Sequence, residues 1–278
     1  MSTKHPSLPQ VMGIVNINNE SFYSGSRFTG VSQVEEQLQQ MIGAGAELID
    51  LGACSTRPGS TPVSEEQEWE YLKEPLKMIG RKYTGAIKFS IDTFRSCIVK
   101  RAYDVMGDFI VNDISAGEDD ADMLPTVGKL GLPYVAMHKR GTPDTMQQMC
   151  DYPNGVVNEV IQYFKDFEAR AADCGIKDYI MDPGFGFAKN LEQNYTLFKG
   201  MPQMKSAIAT FAGVERKLLV GISRKGMLWK PLGITPNEAL CATAAMNLQA
   251  LILGADILRV HDVAEAVQCV KLWKCLQG

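Results

Sequence analysis

The chain has 278 residues, enough to bury a large core, and α/β barrels form single domains of about 250 residues. Its composition is that of an ordinary globular protein, and its net charge of -4 argues against nucleic acid as a partner, because nucleic-acid-binding proteins carry a basic face. The seven cysteines are scattered without CxxC spacing, which favours free thiols in a reducing cytosol.

The N-terminus and the apolar stretches predict a cytoplasmic protein that does not contact a membrane. The opening MSTKHPSLPQ lacks the apolar core of a secretion signal. The longest uncharged stretch, residues 239–255, is too short and too polar to span a bilayer. It predicts instead a helix that is apolar nearly all round, covered by the fold on one side and, as a hypothesis, by the second subunit of a homodimer on the other.

Short apolar runs recur along the chain, and polar residues stand where most of them end. In order they are VMGIVN, AELIDLGACSTR, IKFSIDT, FIVNDIS, YVAMHKR, YIMDPGFGF, LLVGISRK and ILRVHD. Strands that are apolar along their length and polar at their carboxyl ends are typical of parallel sheets with one active face. We therefore predict one domain over residues 1–278, a (β/α)8 TIM barrel of the α/β class.

Helical segments lie between these runs. Ser64 followed by acidic residues predicts a helix start. Helical spacing predicts further segments at 34–42, 95–105, 120–130, 155–174, 191–210, 236–253 and 263–276. The connections 18–30, 54–63 and 139–154 are longer than a barrel needs, and we expect them to be loops that close over a ligand, with surface decoration as the alternative.

Several strand ends carry groups that can read a heterocycle. A carboxylate at Asp182 can accept two N–H bonds from a flat, guanidine-like edge, and Phe187 can cover an aromatic partner. Asp92 and Asn112 end two other strands and can read the same heterocycle from other directions. The alternative for any one such aspartate is the N-cap of the following helix.

Cations gather after the last two strands, in SRKG and RVHD, where such barrels often bind phosphate. Asn16 ends the strand that closes the barrel against the last one, so we expect Asn16, Arg259 and His261 to lie close together. An amide oxygen beside these cations suits a Mg²⁺-bound diphosphate. The three histidines lack the spacing of a zinc site.

Eight segments together resemble the dihydropteroate synthase family. They are MGIVNINNESF, STRPGSTPVS, SIDT, VNDISAG, MHKRGTPDTMQ, DPGFGFAKNLEQNY, VGISRKG and RVHDV, in the family's order over nearly the whole chain. The resemblance implies a pterin-binding TIM barrel of folate biosynthesis and a target of sulfonamides. Its reaction joins p-aminobenzoate to 6-hydroxymethyl-7,8-dihydropterin diphosphate, giving 7,8-dihydropteroate and diphosphate.

The resemblance also implies roles for single residues, which fall into four groups. Catalysis falls to Asp92, Lys225, Arg259 and His261. Pterin binding falls to Asp92, Asn112, Asp182, Lys225 and Arg259. The diphosphate falls to Asn16, Thr56, Arg57, Arg259 and His261, with Asn16 as the Mg²⁺ ligand. The p-aminobenzoate pocket falls to Thr56, Pro58, Phe187 and Ser223.

The chain departs from the family pattern at four places. The first loop reads Asn18-Asn19-Glu20 in place of Thr-Pro-Asp, and Ala53-Cys54 stands in place of Gly-Glu. Ala188 and Gly226 replace a usual Gly and a usual Ser. These changes bear on loop closure and on the aminobenzoate end.

Three other functions stay open. A pterin-dependent methyltransferase would share the pterin carboxylates without needing the cations. A Schiff-base aldolase would use Lys225 as its nucleophile. A catalytically silent pterin-binding relative would fit the altered loops.

Overall fold

Eight parallel strands close into a barrel in neighbouring order, in a computed structural model that describes residues 8–17, 27–54, 63–83, 85–142 and 145–277. The strands are β1 (Gln10–Asn16), β2 (Leu48–Gly52), β3 (Lys88–Asp92), β4 (Ile110–Asp113), β5 (Tyr134–Met137), β6 (Tyr179–Asp182), β7 (Lys217–Val220) and β8 (Ile257–Val260). Closure comes from β1, which pairs with β2 on one side and with β8 on the other, where Gly13 lies opposite Val260. The predicted TIM barrel is confirmed.

Ten α-helices surround the barrel within the described residues. They are α1 (Arg27–Gly43), α2 (Glu65–Lys82), α3 (Ser96–Met106), α4 (Met123–Leu130), α5 (Val156–Asp173), α6 (Leu191–Lys199), α7 (Met201–Ala212), α8 (Gly226–Trp229), α9 (Leu240–Ile252) and α10 (Val263–Leu276). Short 3-10 turns occupy Met146–Gln148 and Pro236–Glu238. Among the described helices, none is long and apolar enough to cross a membrane.

Two hydrophobic layers hold these elements together. Outward-facing strand residues and inward-facing helix residues form the larger layer, in which Phe164, Phe167 and Tyr179 are fully buried. A second, smaller cluster fills the barrel interior. Burial on both faces explains why the strands read as continuous apolar runs rather than as alternating ones.

The helix predictions hold with shifted boundaries. Ser64 caps α2, its hydroxyl accepting a hydrogen bond from the Gln67 N–H at 3.2 Å. The predicted helix over 191–210 is two helices, because the chain turns at Gly200 and Pro202 starts the second one. The helix predicted over 236–253 likewise begins as a 3-10 turn before α9.

Candidate active site

The barrel interior changes from apolar to polar toward the carboxyl ends of the strands. Seven apolar side chains form its floor: Met12, Leu48, Ile110, Val135, Ile180, Leu219 and Ile257. Side chains two residues further along a strand face the same side. These positions are polar on five strands, namely Asp50, Asp92, Asn112, Asp182 and Arg259, with Asp92 two residues after the buried Ser90. We call these five residues the polar layer.

Arg259 joins the carboxylates of β2 and β3 across the polar layer. Its Nε lies 2.7 Å from Asp50 Oδ2, and Nη2 lies 2.8 Å from Asp92 Oδ2. Asn112 Nδ2 donates to the same Asp50 oxygen at 3.1 Å. Sequence reasoning assigned Arg259, Asp92 and Asn112 but missed Asp50, although its spacing of two residues from Leu48 already placed it in the interior.

Burial and neighbouring charges shift the pKa values of this group. Burial raises the pKa of Asp92 to about 7; Arg259 opposes this shift, and the Asp50 carboxylate adds to it. Burial acts against the charge of Arg259, yet Asp50 and Asp92 hold its pKa above the ordinary value. Asp92 therefore exchanges a proton near neutral pH, whereas Arg259 stays a cation.

Asp182 and Lys225 form the opposite side of the polar layer. Asp182 Oδ1 accepts from the Gly184 N–H at 2.8 Å, and burial raises the pKa of Asp182 while Lys225 opposes the shift. Lys225 Nζ donates to the Phe185 carbonyl at 2.6 Å and lies 4.9 Å from the centre of the Phe187 ring. Burial lowers the pKa of Lys225 to about 8, an effect that Asp182 opposes.

Phe185 and Phe187, the two aromatic residues of the motif after β6, have different surroundings. Phe185 is fully buried and packs against Phe198 with ring centroids 5.9 Å apart. Phe187 is only partly buried and faces Lys225. Of the two, only Phe187 can therefore offer a ring face to a bound ligand.

Arg224 and Lys225, the two cations of the SRKG segment, bind different partners. Arg224 has a left-handed backbone (φ 55), and its guanidinium binds both carboxylate oxygens of Asp262 at 2.9 and 2.8 Å. It also donates to the carbonyls of Pro236 and Asn237. Arg224 thus ties the loop after β7 to the loop after β8, and Lys225 is the lysine that enters the barrel.

Ser223 and His261 meet across the same pair of loops. Ser223 Oγ lies 3.0 Å from His261 Nδ1, and the backbone N–H of His261 lies 3.3 Å from the same hydroxyl. Asn16 is exposed at the end of β1, opposite Gly52. These residues stand at the carboxyl rim, above the polar layer.

The donor set at this rim can be tested against Mg²⁺. Within the described residues, no group of three or more His, Cys, Asp or Glu side chains could hold a metal. Mg²⁺ needs only one or two protein oxygens when water and phosphate supply the rest. The exposed amide oxygen of Asn16 fits that requirement.

Thr56, Arg57 and Pro58 lie outside the described residues, as do Asn18, Asn19 and Glu20. The described departures from the family pattern have simple surroundings. Burial and then Glu68 raise the pKa of the Cys54 thiol, which disfavours a reactive thiolate. Ala188 is buried with a positive φ of 50, and Gly226 is the first residue of α8.

Comparison with known proteins relates this geometry to one group of enzymes. A family model described as pterin binding enzyme matches residues 12–261. The dihydropteroate synthase of Escherichia coli strain K12 is 37% identical over 269 residues, covering 96% of this chain and 91% of that protein. The Xanthomonas albilineans dihydropteroate synthase with 4-aminobenzoic acid has a TM-score of 0.85 and 31% identity, covering 98% of this chain and 94% of that one.

A third similar protein was solved with a pterin compound bound. The Burkholderia cenocepacia dihydropteroate synthase complexed with 7,8-dihydropteroate has a TM-score of 0.84 and 29% identity. The match covers 100% of this chain and 93% of that one. The similarity thus extends over the whole length of this chain.

Proposed function

The chain belongs to the pterin-binding enzyme family, and we infer that within this family it is a dihydropteroate synthase. It transfers the pterin-CH2 group of 6-hydroxymethyl-7,8-dihydropterin diphosphate to p-aminobenzoate, releasing diphosphate and forming 7,8-dihydropteroate in folate biosynthesis. The observation that carries this inference is the polar layer, in which Arg259 is held between Asp50 and Asp92 beside Asn112 and Asp182.

The polar layer suits a flat pterin. The Asp182 carboxylate can accept the two N–H groups of a guanidine-like edge, and the Lys225 ammonium can donate to a ring carbonyl. Asn112 offers both a donor and an acceptor, and Asp92 reaches the ring from the opposite side. The apolar floor below excludes water, so these hydrogen bonds form where they are strongest.

The rim suits a leaving diphosphate. Arg259 directs Nε and Nη2 at carboxylates, so its remaining terminal nitrogen can donate to a ligand. His261 and Asn16 stand on the same rim. We keep Thr56 and Arg57 in the diphosphate site on the family resemblance alone, since both lie outside the described residues. Asn16 would contribute the protein oxygen to Mg²⁺, which when bound neutralises developing negative charge on the phosphates.

The chemical step follows from the pterin-binding polar layer and the diphosphate-binding rim. The bond between the pterin CH2 carbon and the diphosphate oxygen breaks, and its electron pair leaves with the diphosphate. The arylamine nitrogen then bonds to that carbon and releases its proton to water. Ser223 and Phe187 would shape its pocket, and the family resemblance adds Thr56 and Pro58, which lie outside the described residues. Anionic Asp92 stabilises the electron-poor carbon, so positioning and electrostatics suffice without a covalent enzyme intermediate.

A direct assay tests this function. The protein is incubated with Mg²⁺, the pterin diphosphate and p-aminobenzoate, and diphosphate and 7,8-dihydropteroate are quantified together. We expect equal amounts of both products. Diphosphate released at the same rate without the arylamine, or pterin binding without any dihydropteroate, would contradict the coupling; the second result is the one expected of a silent relative.

The aldolase alternative has one supporting observation, the pKa of Lys225 lowered to about 8. A Schiff-base lysine must attack a carbonyl as a free amine. In this protein its Nζ donates to the Phe185 carbonyl, and the residue caps α8 beyond the strand end. Borohydride treatment with a carbonyl substrate, followed by mass spectrometry, should give no adduct at Lys225.

We also propose a homodimer formed through α9. Cys241, Ala245, Gln249 and Ile252 form its exposed side, and Ile252 is 51% exposed. The neighbouring α10 leaves Leu272 and Leu276 57% and 63% exposed. A second copy would remove these mainly apolar side chains from water. Light scattering at micromolar concentration should give the dimer mass, and a monomer would contradict the proposal.

We propose that the protein works in the cytoplasm, because no disulfide joins its cysteines within the described residues and reduced cysteines persist in reducing compartments. Cell fractionation of the source organism, followed by immunodetection, tests this location. Recovery of the protein in an oxidising compartment or in the membrane fraction would contradict it.

A further inference from the structure

A buried lysine outside the assigned site joins β5 to the loop after β6. Lys189 is 3% exposed, and its Nζ lies 2.9 Å from each of three acceptors. Two of them are the carbonyls of Gly184 and Phe187, in the loop that follows Asp182. The third is Nδ1 of His138, the first residue after β5.

Three acceptors match the three N–H groups of one ammonium ion. The arrangement then requires a neutral imidazole whose Nδ1 accepts and whose proton sits on Nε2. Burial, followed by the charge of Lys189, lowers the pKa of His138 well below its ordinary value, which supplies the neutral ring. Burial also lowers the pKa of Lys189, and the Asp182 carboxylate opposes that shift.

The loop of residues 183–188, whose carbonyls bind Lys189, contains no helix or strand. It contains three positive-φ residues, Gly184, Gly186 and Ala188. A Cβ at Gly184 would lie 1.9 Å from the His138 carbonyl oxygen, so the chain passes directly against the end of β5. Side chains therefore hold its carbonyls, with Tyr152 on Ala188 and Lys225 on Phe185.

The hydrogen bonds of Lys189 connect directly to Asp182 and Lys225, which bind the pterin in the proposed function. Gly184 receives the Lys189 hydrogen bond on its carbonyl and donates its N–H to Asp182 at 2.8 Å. The Phe185 carbonyl, between the two clamped ones, positions the Lys225 ammonium. A shift of this loop would move the Asp182 acceptor, the Lys225 donor and the Phe187 ring together.

We propose that Lys189, held by His138, is a positioning residue that sets the loop of residues 183–188 so that Asp182 and Lys225 meet the pterin in register. This role rests on the proposed synthase function for the identity of the ligand. It also gives a role to His138, the buried histidine that follows β5. Neither Lys189 nor His138 touches substrate in this proposal.

The test replaces Lys189 by Met, which keeps the length of the side chain and removes its N–H groups. Binding of 6-hydroxymethyl-7,8-dihydropterin diphosphate is measured by calorimetry without arylamine. We expect the Kd to rise about tenfold, because two carbonyls and one ring nitrogen lose their donor. The matched control is Lys199→Met on the exposed surface of α6, which should leave the Kd unchanged.

A merely stabilising lysine would behave differently. Its loss would lower the melting temperature and leave the pterin Kd unchanged at a temperature where the variant is folded. That result overturns the proposal. In steady-state assays we expect the KM for the pterin diphosphate to rise by a larger factor than the KM for p-aminobenzoate, since the loop positions two pterin groups, Asp182 and Lys225, and only one aminobenzoate residue, Phe187.

A second pair of variants keeps the test decisive if Lys189→Met does not fold. His138→Asn keeps an acceptor near the position of Nδ1, whereas His138→Leu removes it at similar volume. We expect a several-fold weaker pterin affinity for His138→Leu and near wild-type affinity for His138→Asn. Equal affinities in the two variants overturn the proposal. If the wild-type protein binds the pterin but forms no dihydropteroate, the proposed synthase function is wrong. The role of Lys189 is still tested in that case, because its test measures pterin affinity.

Discussion

Asp50 and Arg259 form an ion pair between β2 and β8, with Arg259 Nε 2.7 Å from Asp50 Oδ2. Asp50 is fully buried, and its other oxygen, Oδ1, has no partner among the described residues. A buried carboxylate is stable only when paired. Asp50 therefore holds the guanidinium in place for Asp92 and for the leaving group.

We predict that Asp50→Asn lowers kcat/KM for the pterin diphosphate about tenfold or more, because the guanidinium loses its best-buried anchor. The same change removes a charge that raises the pKa of Asp92, which is about 7 in the free protein. If anionic Asp92 is the active form, the acidic limb of the pH profile should move to lower pH. Profiles of kcat/KM from pH 5 to 9 measure both effects.

The control for this prediction is Asp104→Asn, at an exposed position of α3. It should leave both the rate and the pH profile unchanged. If the acidic limb lies at the same pH in wild type and Asp50→Asn, it does not report the ionisation of Asp92, and the prediction is wrong.

The barrel and most of the polar layer follow from the sequence because both depend on local patterns. Runs of apolar residues specify strands buried on both faces, and a polar residue at a strand end specifies the active face. The role of Asp50 does not follow from its own segment, AELIDLGACSTR. Its importance comes from its contact with Arg259, which lies more than two hundred positions away.

Other features depend on contacts that no local pattern encodes. The pairing of Arg224 with Asp262, rather than with a phosphate, depends on how two loops meet above the barrel. Nothing in the motif DPGFGFAKN marks Lys189 as buried, and only the fold brings it to His138. Helix ends also shifted, as at Gly200, where local turn geometry outweighs helical periodicity.

We predict that the free energy of unfolding of Asp92→Asn, minus that of the wild type, increases as the pH rises from 5 to 7. The pKa of Asp92 is raised to about 7 in the folded state, so between its unfolded value and pH 7 the folded protein binds the extra proton. Folding of the wild type therefore loses stability with rising pH over this window, and Asp92→Asn removes the loss. The slope is at most about 1.4 kcal/mol per pH unit.

Urea unfolding at pH 5, 6, 7 and 8 measures this difference. Above pH 7 it should level off, because Asp92 is then ionised in both states. The exposed Asp104→Asn variant provides a matched control of the same chemistry. A difference that stays constant, or that shrinks with rising pH, would contradict the raised pKa.

We predict a basic limb near pH 8 in kcat/KM for the pterin diphosphate, caused by loss of the Lys225 ammonium. Its pKa is lowered to about 8 by burial, and the Asp182 carboxylate holds it up. Asp182→Asn should move the limb to lower pH and also weaken pterin binding about tenfold, since one amide presents a donor where an acceptor is needed. Lys225→Arg should abolish the limb, because arginine stays charged throughout.

The last prediction concerns the pair that joins the loops after β7 and β8. Arg224 and Asp262 are 24% and 19% exposed and form two hydrogen bonds of 2.9 and 2.8 Å. Arg224→Met and Asp262→Asn should each destabilise the protein by about 1–3 kcal/mol, because each leaves a partly buried charge unpaired. The double variant should cost less than the sum, with a coupling energy of about 1 kcal/mol or more.

A double-mutant cycle by urea unfolding measures this coupling. Lys82 and Glu35, 55% and 23% exposed, form the matched surface pair, and their coupling should stay below about 0.5 kcal/mol. Because Arg224 lies between Ser223 and Lys225, and Asp262 follows His261, each single variant should also lower kcat/KM. The double variant should be no slower than the slower single variant, since both changes release the same two loops. Additive losses of stability and rate would show instead that each loop is held independently.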